Sequence, residues 1–221
     1  MKNSIGNSQT KVRRLVFMAL FTALAFASTL IIHPKVLFLT FDIKDAIITL
    51  AAMAFGPVSG VIISALVAFI EFISISETGI YGFIMNFISS ATFSLTASLV
   101  YKYKKTLLGG IIGLFASVFA TTAVMMVANI LITPYFMKST TEEVLKLIPK
   151  ILFPFNALKA LANAGLVIAF YKPVSNALKA VGAVKRKETE KLTIDKTTIV
   201  LLLCAIVVSA LAIIVMFTVM A

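Results

Sequence analysis

The chain has 221 residues, 60% of them apolar and 13% charged, with a mean hydropathy of +1.05. A soluble domain runs at about 45–50% apolar and about 25% charged, so a soluble enzyme, a secreted enzyme and a disordered tail are excluded, and the chain reads as a polytopic membrane protein. One Cys and one His exclude an internal disulfide, a cysteine metal cluster and a multi-histidine zinc or haem site, while the net charge of +11 points to nucleic acid only if the cations share one face.

A membrane-spanning helix needs roughly 20 mostly apolar residues. In chain order the candidate spans are 14–32, 43–55, 57–75, 80–101, 107–132, 152–171 and 198–219. Lys2, Lys11, Arg13 and Arg14 precede the first run as in a signal peptide, but no A-x-A site follows, so the first helix is expected to stay uncleaved. The second run is short, and Gly56-Pro57 separates it from the third as a helix break with a minimal turn. No segment alternates with period two, which argues against a β-barrel.

With the N-terminus in the cytoplasm and every span crossing, Lys102, Lys104, Lys105 and the basic cluster from Lys172 to Lys196 fall inside, and the outer side carries as many acids as cations. The charge excess is therefore cytoplasmic, as the positive-inside rule requires. The cations form short juxtamembrane clusters rather than a groove-sized face, so nucleic acid is excluded as a partner. Tyr101, Tyr103 and Tyr171 fall at the inner interface, Tyr81 and Tyr135 at the outer one.

Polar residues inside the spans gather near the outer face in four places. Leu39-Thr40-Phe41-Asp42-Ile43-Lys44-Asp45 opens the second helix, where Asp42 and Asp45 suit N-terminal capping and Thr40 and Phe41 remain free for a ligand. Glu77-Thr78-Gly79-Ile80-Tyr81-Gly82 makes a tight outer turn leading to Asn86. Asn129 lies just below Thr133-Pro134-Tyr135, where the proline is expected to end the fifth helix. Pro154-Phe155-Asn156-Ala157-Leu158-Lys159 puts Asn156 and Lys159 at i and i+3 on one face, with Pro154 in the first turn. Lys159 has two readings, snorkelling to the outer interface or serving a pocket; its shared face with Asn156 favours the pocket. Glu71 is a candidate partner for Lys159.

These groups suggest a pocket open to the outside. Asparagine amides offer donor and acceptor on one group, which suits a ring edge alternating C=O and N–H, such as a cyclic imide or pteridine. The stretch from Thr133 to Pro149 is expected to be a loop covering the mouth. No G-x-x-x-x-G-K-[ST], no H-E-x-x-H and no convergent acid–base set occurs, so neither ATP binding in a P-loop nor catalysis is expected. Energy must come from other chains. Ala19, Ala23 and Ala27, spaced four apart on the first helix, would let a partner helix approach closely within lipid.

The sequence resembles the substrate-binding S-components of energy-coupling-factor vitamin transporters, and most of all the riboflavin-specific members. The resemblance covers residues 11–180 and rests on Leu39-Thr40-Phe41-Asp42, Phe55-Gly56-Pro57-x-x-Gly60, Thr78-Gly79-x-x-Gly82-x-x-x-Asn86, Asn129 with Thr133-Pro134-Tyr135, and Pro154-Phe155-Asn156-x-x-Lys159. It implies an all-α, six-helix membrane domain that captures its vitamin from outside. Such a domain docks through helix one on a membrane coupling subunit carrying two ATPases and topples to release its cargo inside. Carried across residue by residue, it implies ligand contacts from Leu39, Thr40, Phe41, Asn129, Asn156 and Lys159, with Asn86 a further candidate, and docking through Ala19, Ala23 and Ala27. No cofactor and no metal are expected, riboflavin being cargo.

The expected organisation is a cytoplasmic N-terminus (1–13), the six-helix domain (14–180), a charged cytoplasmic linker (181–197) and a further C-terminal helix (198–221) holding Cys204, for which the resemblance supplies no role. The chain is expected in the plasma membrane with its C-terminus outside. The rivals are the same fold binding folate or thiamin, a membrane enzyme, or a membrane subunit without a ligand.

Overall fold

The computed structural model describes residues 2–32, 34–104 and 106–184, together with Val207 and Ile214. The linker and the C-terminal apolar run otherwise lie outside the described residues. Helix α1 (Lys2–Ile31) starts earlier than the apolar run because no proline interrupts the basic leader. It is followed by a two-stranded antiparallel hairpin, β1 (Lys35–Val36) and β2 (Leu39–Thr40), paired Lys35 to Thr40 and Val36 to Leu39. Then come α2 (Lys44–Phe55), α3 (Pro57–Ser74), α4 (Gly79–Tyr103), α5 (Leu107–Met137), the short α6 (Thr141–Leu147), a π-helical turn (Ile148–Leu152) and α7 (Phe153–Ala180).

Among the described residues, five helical stretches are long and apolar enough to cross a membrane: Lys11–Ile31, Pro57–Ser74, Gly79–Tyr103, Leu108–Met137 and Thr141–Ala180. Helix α2 is different. Its 12 residues make a rod of about 18 Å at 1.5 Å per residue, against a hydrocarbon core of about 30 Å, so the run 43–55 does not cross on its own. At its C-terminal end Arg14 of α1 donates to the Phe55 carbonyl (2.7 Å) and to Ser59 Oγ (2.6 Å), closing off a helix-end carbonyl that lipid could not serve. At its other end Lys44 meets Glu71, in the last turn of α3.

This half-length helix is the centre of the bundle. It contacts α1, α3, α4 and α7, and Ala46, Ile48, Leu50, Ala51 and Ala52 are all buried. The core around it joins Met18, Phe21 and Ala25 of α1 to Ile63 and Val67 of α3, Phe93 and Ala97 of α4, and Ala164 and Val167 of α7. Gly56 links α2 to α3 at φ 101°, a conformation that favours glycine, and Pro57 takes the first position of α3, where its missing N–H costs nothing. Gly60 makes the close approach possible: a Cβ there would lie 2.7 Å from Ala52 Cβ and 3.1 Å from Ser94 Oγ. Buried serines on α3 and α4 return their hydroxyls to their own backbone, Ser64 to the Gly60 carbonyl (2.9 Å) and Ser98 to that of Ser94 (2.6 Å), so small polar residues pack as tightly as alanine.

Two expectations fail where α5 ends. Pro134 does not end the fifth helix; α5 continues to Met137, where Phe136 packs on Phe38 of the hairpin, and Lys138 at φ 51° closes it. Nor is the stretch from Thr133 to Pro149 a loop. Thr140 and Glu143 form a reciprocal capping box (3.3 Å each way) that starts α6. The π-helical turn carries the chain directly into α7.

Candidate functional site

A chain of buried charges crosses the bundle at the depth where α2 begins. Lys159 of α7 donates to Asp42 Oδ2 (2.9 Å) and to the Thr40 carbonyl (3.2 Å). The same Asp42 oxygen lies 3.4 Å from Lys44 Nζ. Lys44 grips both oxygens of Glu71 (2.8 and 2.7 Å), and Asn86 Nδ2 of α4 adds a third bond to that carboxylate at 3.0 Å. Asp45 accepts from Ser90. Breaking a buried ion pair by removing one partner costs several kcal/mol, so these links fix the relative positions of α2, α3, α4, α7 and the hairpin.

Asn163, a residue the sequence reading did not single out, ties this network to the backbone. Its Oδ1 accepts the Ala46 N–H (2.8 Å), and its Nδ2 donates to the carbonyls of Asp42 and Lys159 (3.0 Å each). It thereby caps the N-terminus of α2 from a different helix, a role expected of Asp42 or Asp45. Ile43, the residue at the cap position, has no side-chain cap, because both aspartates are turned to lysines and a serine. Glu71 pairs with Lys44 rather than Lys159, and Lys159 does not snorkel: it is only 7% exposed. The signal for Asn163 was available, since 156, 159 and 163 follow i, i+3, i+7 and share one face.

Above this network two cavities open side by side. The inner one, of about 100 Å³, is lined among others by Leu39, Thr40, Asn86, Asn129, Asn156 and Lys159. Phe41 is not among its lining residues. It is 1% exposed and sits in a small core with Val36, Phe155 and Ala162, so it supports the wall from behind rather than facing a ligand. Two of its three asparagine amides are held by backbone one turn back. Asn129 Nδ2 donates to the Met125 carbonyl (2.7 Å) and its Oδ1 accepts from Thr133 (2.9 Å); Asn156 Nδ2 donates to the Leu152 carbonyl (2.8 Å), within the π-helical turn. An amide has two N–H donors and two acceptor positions, so each keeps capacity for a ligand while its orientation is set in advance. The outer cavity, about 730 Å³, is lined among others by Lys35, Asp42, Lys44, Glu71 and Asn86. Phe38, Thr40, Thr78, Asn86 and Phe136 line both, so the two are continuous.

On α1, Met18, Phe21, Thr22 and Ala25 are buried against the bundle, whereas Ala19, Ala23 and Ala27 are exposed. The small-residue stripe faces away from the core.

The family profile of the ECF transporter, substrate-specific component, matches residues 13–171. The chain belongs to that family. Among curated relatives, the riboflavin transporter RibU of Staphylococcus aureus (strain TCH60) is 29% identical over 178 residues, covering 76% of this chain and 94% of the relative. A solved structure described as that of the S component of a bacterial ECF transporter aligns with a TM-score of 0.66 and 28% identity, over 76% of this chain and 99% of that one. The ECF substrate-specific component is a transporter subunit rather than an enzyme, and the chain is a multi-pass protein of the plasma membrane. The alignments leave the rest of each chain's length unmatched, and the charged linker and last apolar run lie beyond residue 171.

Proposed function

We propose that the chain is the riboflavin-binding subunit of an ECF-type importer, taking the vitamin from outside and releasing it inside while partner subunits hydrolyse ATP. The single observation that carries the ligand reading is the inner cavity, which Asn129 of α5 and Asn156 and Lys159 of α7 line together with Leu39 and Thr40. Leu39, Thr40, Asn86, Asn129, Asn156 and Lys159 are assigned as ligand-contacting residues. The partners are a membrane coupling subunit and two ATPases, and the exposed Ala19, Ala23 and Ala27 face of α1 is assigned as the surface that meets the coupling subunit. The distribution of cations supports a cytoplasmic N-terminus and an extracellular C-terminus.

The test is purification from riboflavin-supplemented cells. The preparation is expected to be yellow with flavin absorbance, and the stripped protein to quench riboflavin fluorescence on titration. A colourless preparation that leaves riboflavin fluorescence unchanged overturns the ligand, and parallel titrations with folate and thiamin identify a rival vitamin.

A further inference from the structure

We propose that Asp45 is held as the neutral carboxylic acid, a buried proton site that keeps the charged network beside the inner cavity in balance. Four of the five buried ionisable side chains of that network offset one another. Lys159 reaches Asp42 (2.9 Å), Asp42 lies 3.4 Å from Lys44, and Lys44 holds Glu71 (2.7 Å), two ammoniums against two carboxylates. Asp45 is the third carboxylate. It is 3% exposed, and among the described residues it enters no ion pair. Its side chain meets Ser90 of α4 instead. A serine hydroxyl both donates and accepts, so this contact serves an acid as well as an anion.

An ionised carboxylate buried without a counter-charge costs far more than the protonated group. Asp45 stands in the first turn of α2, where the helix end favours an anion, but that preference is smaller than the cost of an unpaired buried charge. The cap at that helix end comes from Asn163. The proton belongs on Asp45 rather than on its neighbours. Glu71 gives both oxygens to Lys44, and Asp42 shares one oxygen between two ammoniums, so protonating either would strand a lysine. Of the helices packed on α2, α3 brings Glu71 and α7 brings Lys159 to this end. The buried polar residues described on α1 and α4 are serines and threonines, and Arg14 of α1 sits at the far end of α2. Asp45 lines neither cavity, whereas Lys159 lines the inner one. With Asp45 ionised, three carboxylates would compete for two ammoniums. Lys159 would then be drawn off Asp42 and the Thr40 carbonyl, which set its position. The rival reading is an ionised Asp45 that only accepts from Ser90, and the two differ in a spectrum.

The experiment is infrared difference spectroscopy of the detergent-purified full chain against Asp45→Asn. Near neutral pH the parent is expected to show a carboxylic-acid C=O band, shifted in heavy water, that Asp45→Asn lacks. Asparagine mimics the neutral acid, so the variant is expected to melt no lower than the parent. Its advantage is expected to widen as pH rises from about 6 to about 8, because the folded parent binds one proton more than the unfolded chain, whose aspartates are ionised there. Absence of the band, or a melting gap that stays constant with pH, overturns the proton site. If Asp45→Asn does not fold, Ser90→Ala decides: removing the hydroxyl is expected to move the parent's band, and an unmoved band overturns the site. The link to the pocket rests on the riboflavin reading and is measured separately. Across the pH at which the parent's band fades, its riboflavin affinity is expected to fall at least about threefold, and that of Asp45→Asn less than about twofold. Equal falls in both overturn the link to Lys159. A chain that shows the band but binds no riboflavin overturns the vitamin and leaves the proton in place.

Discussion

Asn129 and Asn156 each hand one amide N–H to a backbone carbonyl one turn back. That arrangement keeps two buried polar groups satisfied when the cavity is empty and fixes which edge of each amide remains for a ligand. Replacing Asn156 by leucine removes that edge while preserving bulk. Riboflavin affinity is expected to fall at least tenfold, about 1.4 kcal/mol, in a fluorescence titration; unchanged affinity would mean the ring sits elsewhere. Asn163 calls for a different outcome. It lines neither of the two cavities described above but serves the Ala46 N–H and the Asp42 and Lys159 carbonyls, so Asn163→Leu removes three hydrogen bonds to buried backbone groups. The apparent melting temperature in detergent is expected to drop, with a loss of about 2 kcal/mol or more, while riboflavin affinity measured well below melting changes less than in Asn156→Leu. A variant as heat-stable as the parent would contradict the trans-capping role.

At the scale of elements, the long helices are legible in the sequence because lipid demands apolar runs of fixed length, and α3, α4 and α5 begin within a residue or so of the runs 57–75, 80–101 and 107–132. Features set by tertiary contact are not legible in that way. Pro134 reads as a stop, but the lost hydrogen bond is tolerated where Phe136 gains an aromatic neighbour on the hairpin. The hairpin turn sets Leu37 at φ 56°, which no propensity would suggest for leucine. The capping box at Thr140 is written in the sequence as T-x-x-E, but the helix it starts is only seven residues long and hides within an apparent loop. Of the site, Asn156 and Lys159 declare themselves by spacing, whereas the pairing of Glu71 with Lys44 rather than Lys159 depends on how α2 and α3 pack, which only the fold reveals. The close seat of α2 on α3 and α4 depends on Gly60. Gly60→Val puts carbon into Ala52 and Ser94 and is expected to destabilise the protein by about 1–3 kcal/mol, read as a lower melting temperature. Retained stability would show that α2 can shift without loss.

For the molecule as a whole, the two proposed tasks fall on separate surfaces. The side chains lining the inner cavity come from the hairpin, α4, α5 and α7. The exposed alanines lie along the outward side of α1, and Ala23 lines neither cavity. Helix α1 is fastened to the bundle in its N-terminal half by Arg14 on the α2–α3 turn and by Arg13 on the Gly182 carbonyl (3.0 Å). A partner that engages the alanine stripe therefore pulls on the whole domain, not on a single loose helix. Within lipid the close approach of two helices depends on small side chains at the contact, and a leucine at position 23 holds the partner backbone off. Ala23→Leu is accordingly expected to leave riboflavin affinity within about twofold of the parent, since no cavity wall changes. It is expected to cut ATP-driven riboflavin uptake by the assembled transporter about tenfold or more. Both are measured on the same variant, titration on the isolated subunit and uptake in vesicles containing the partner subunits. Normal uptake would remove α1 as the docking surface while leaving the pocket standing; loss of both activities would mean instead that the substitution disturbs the fold.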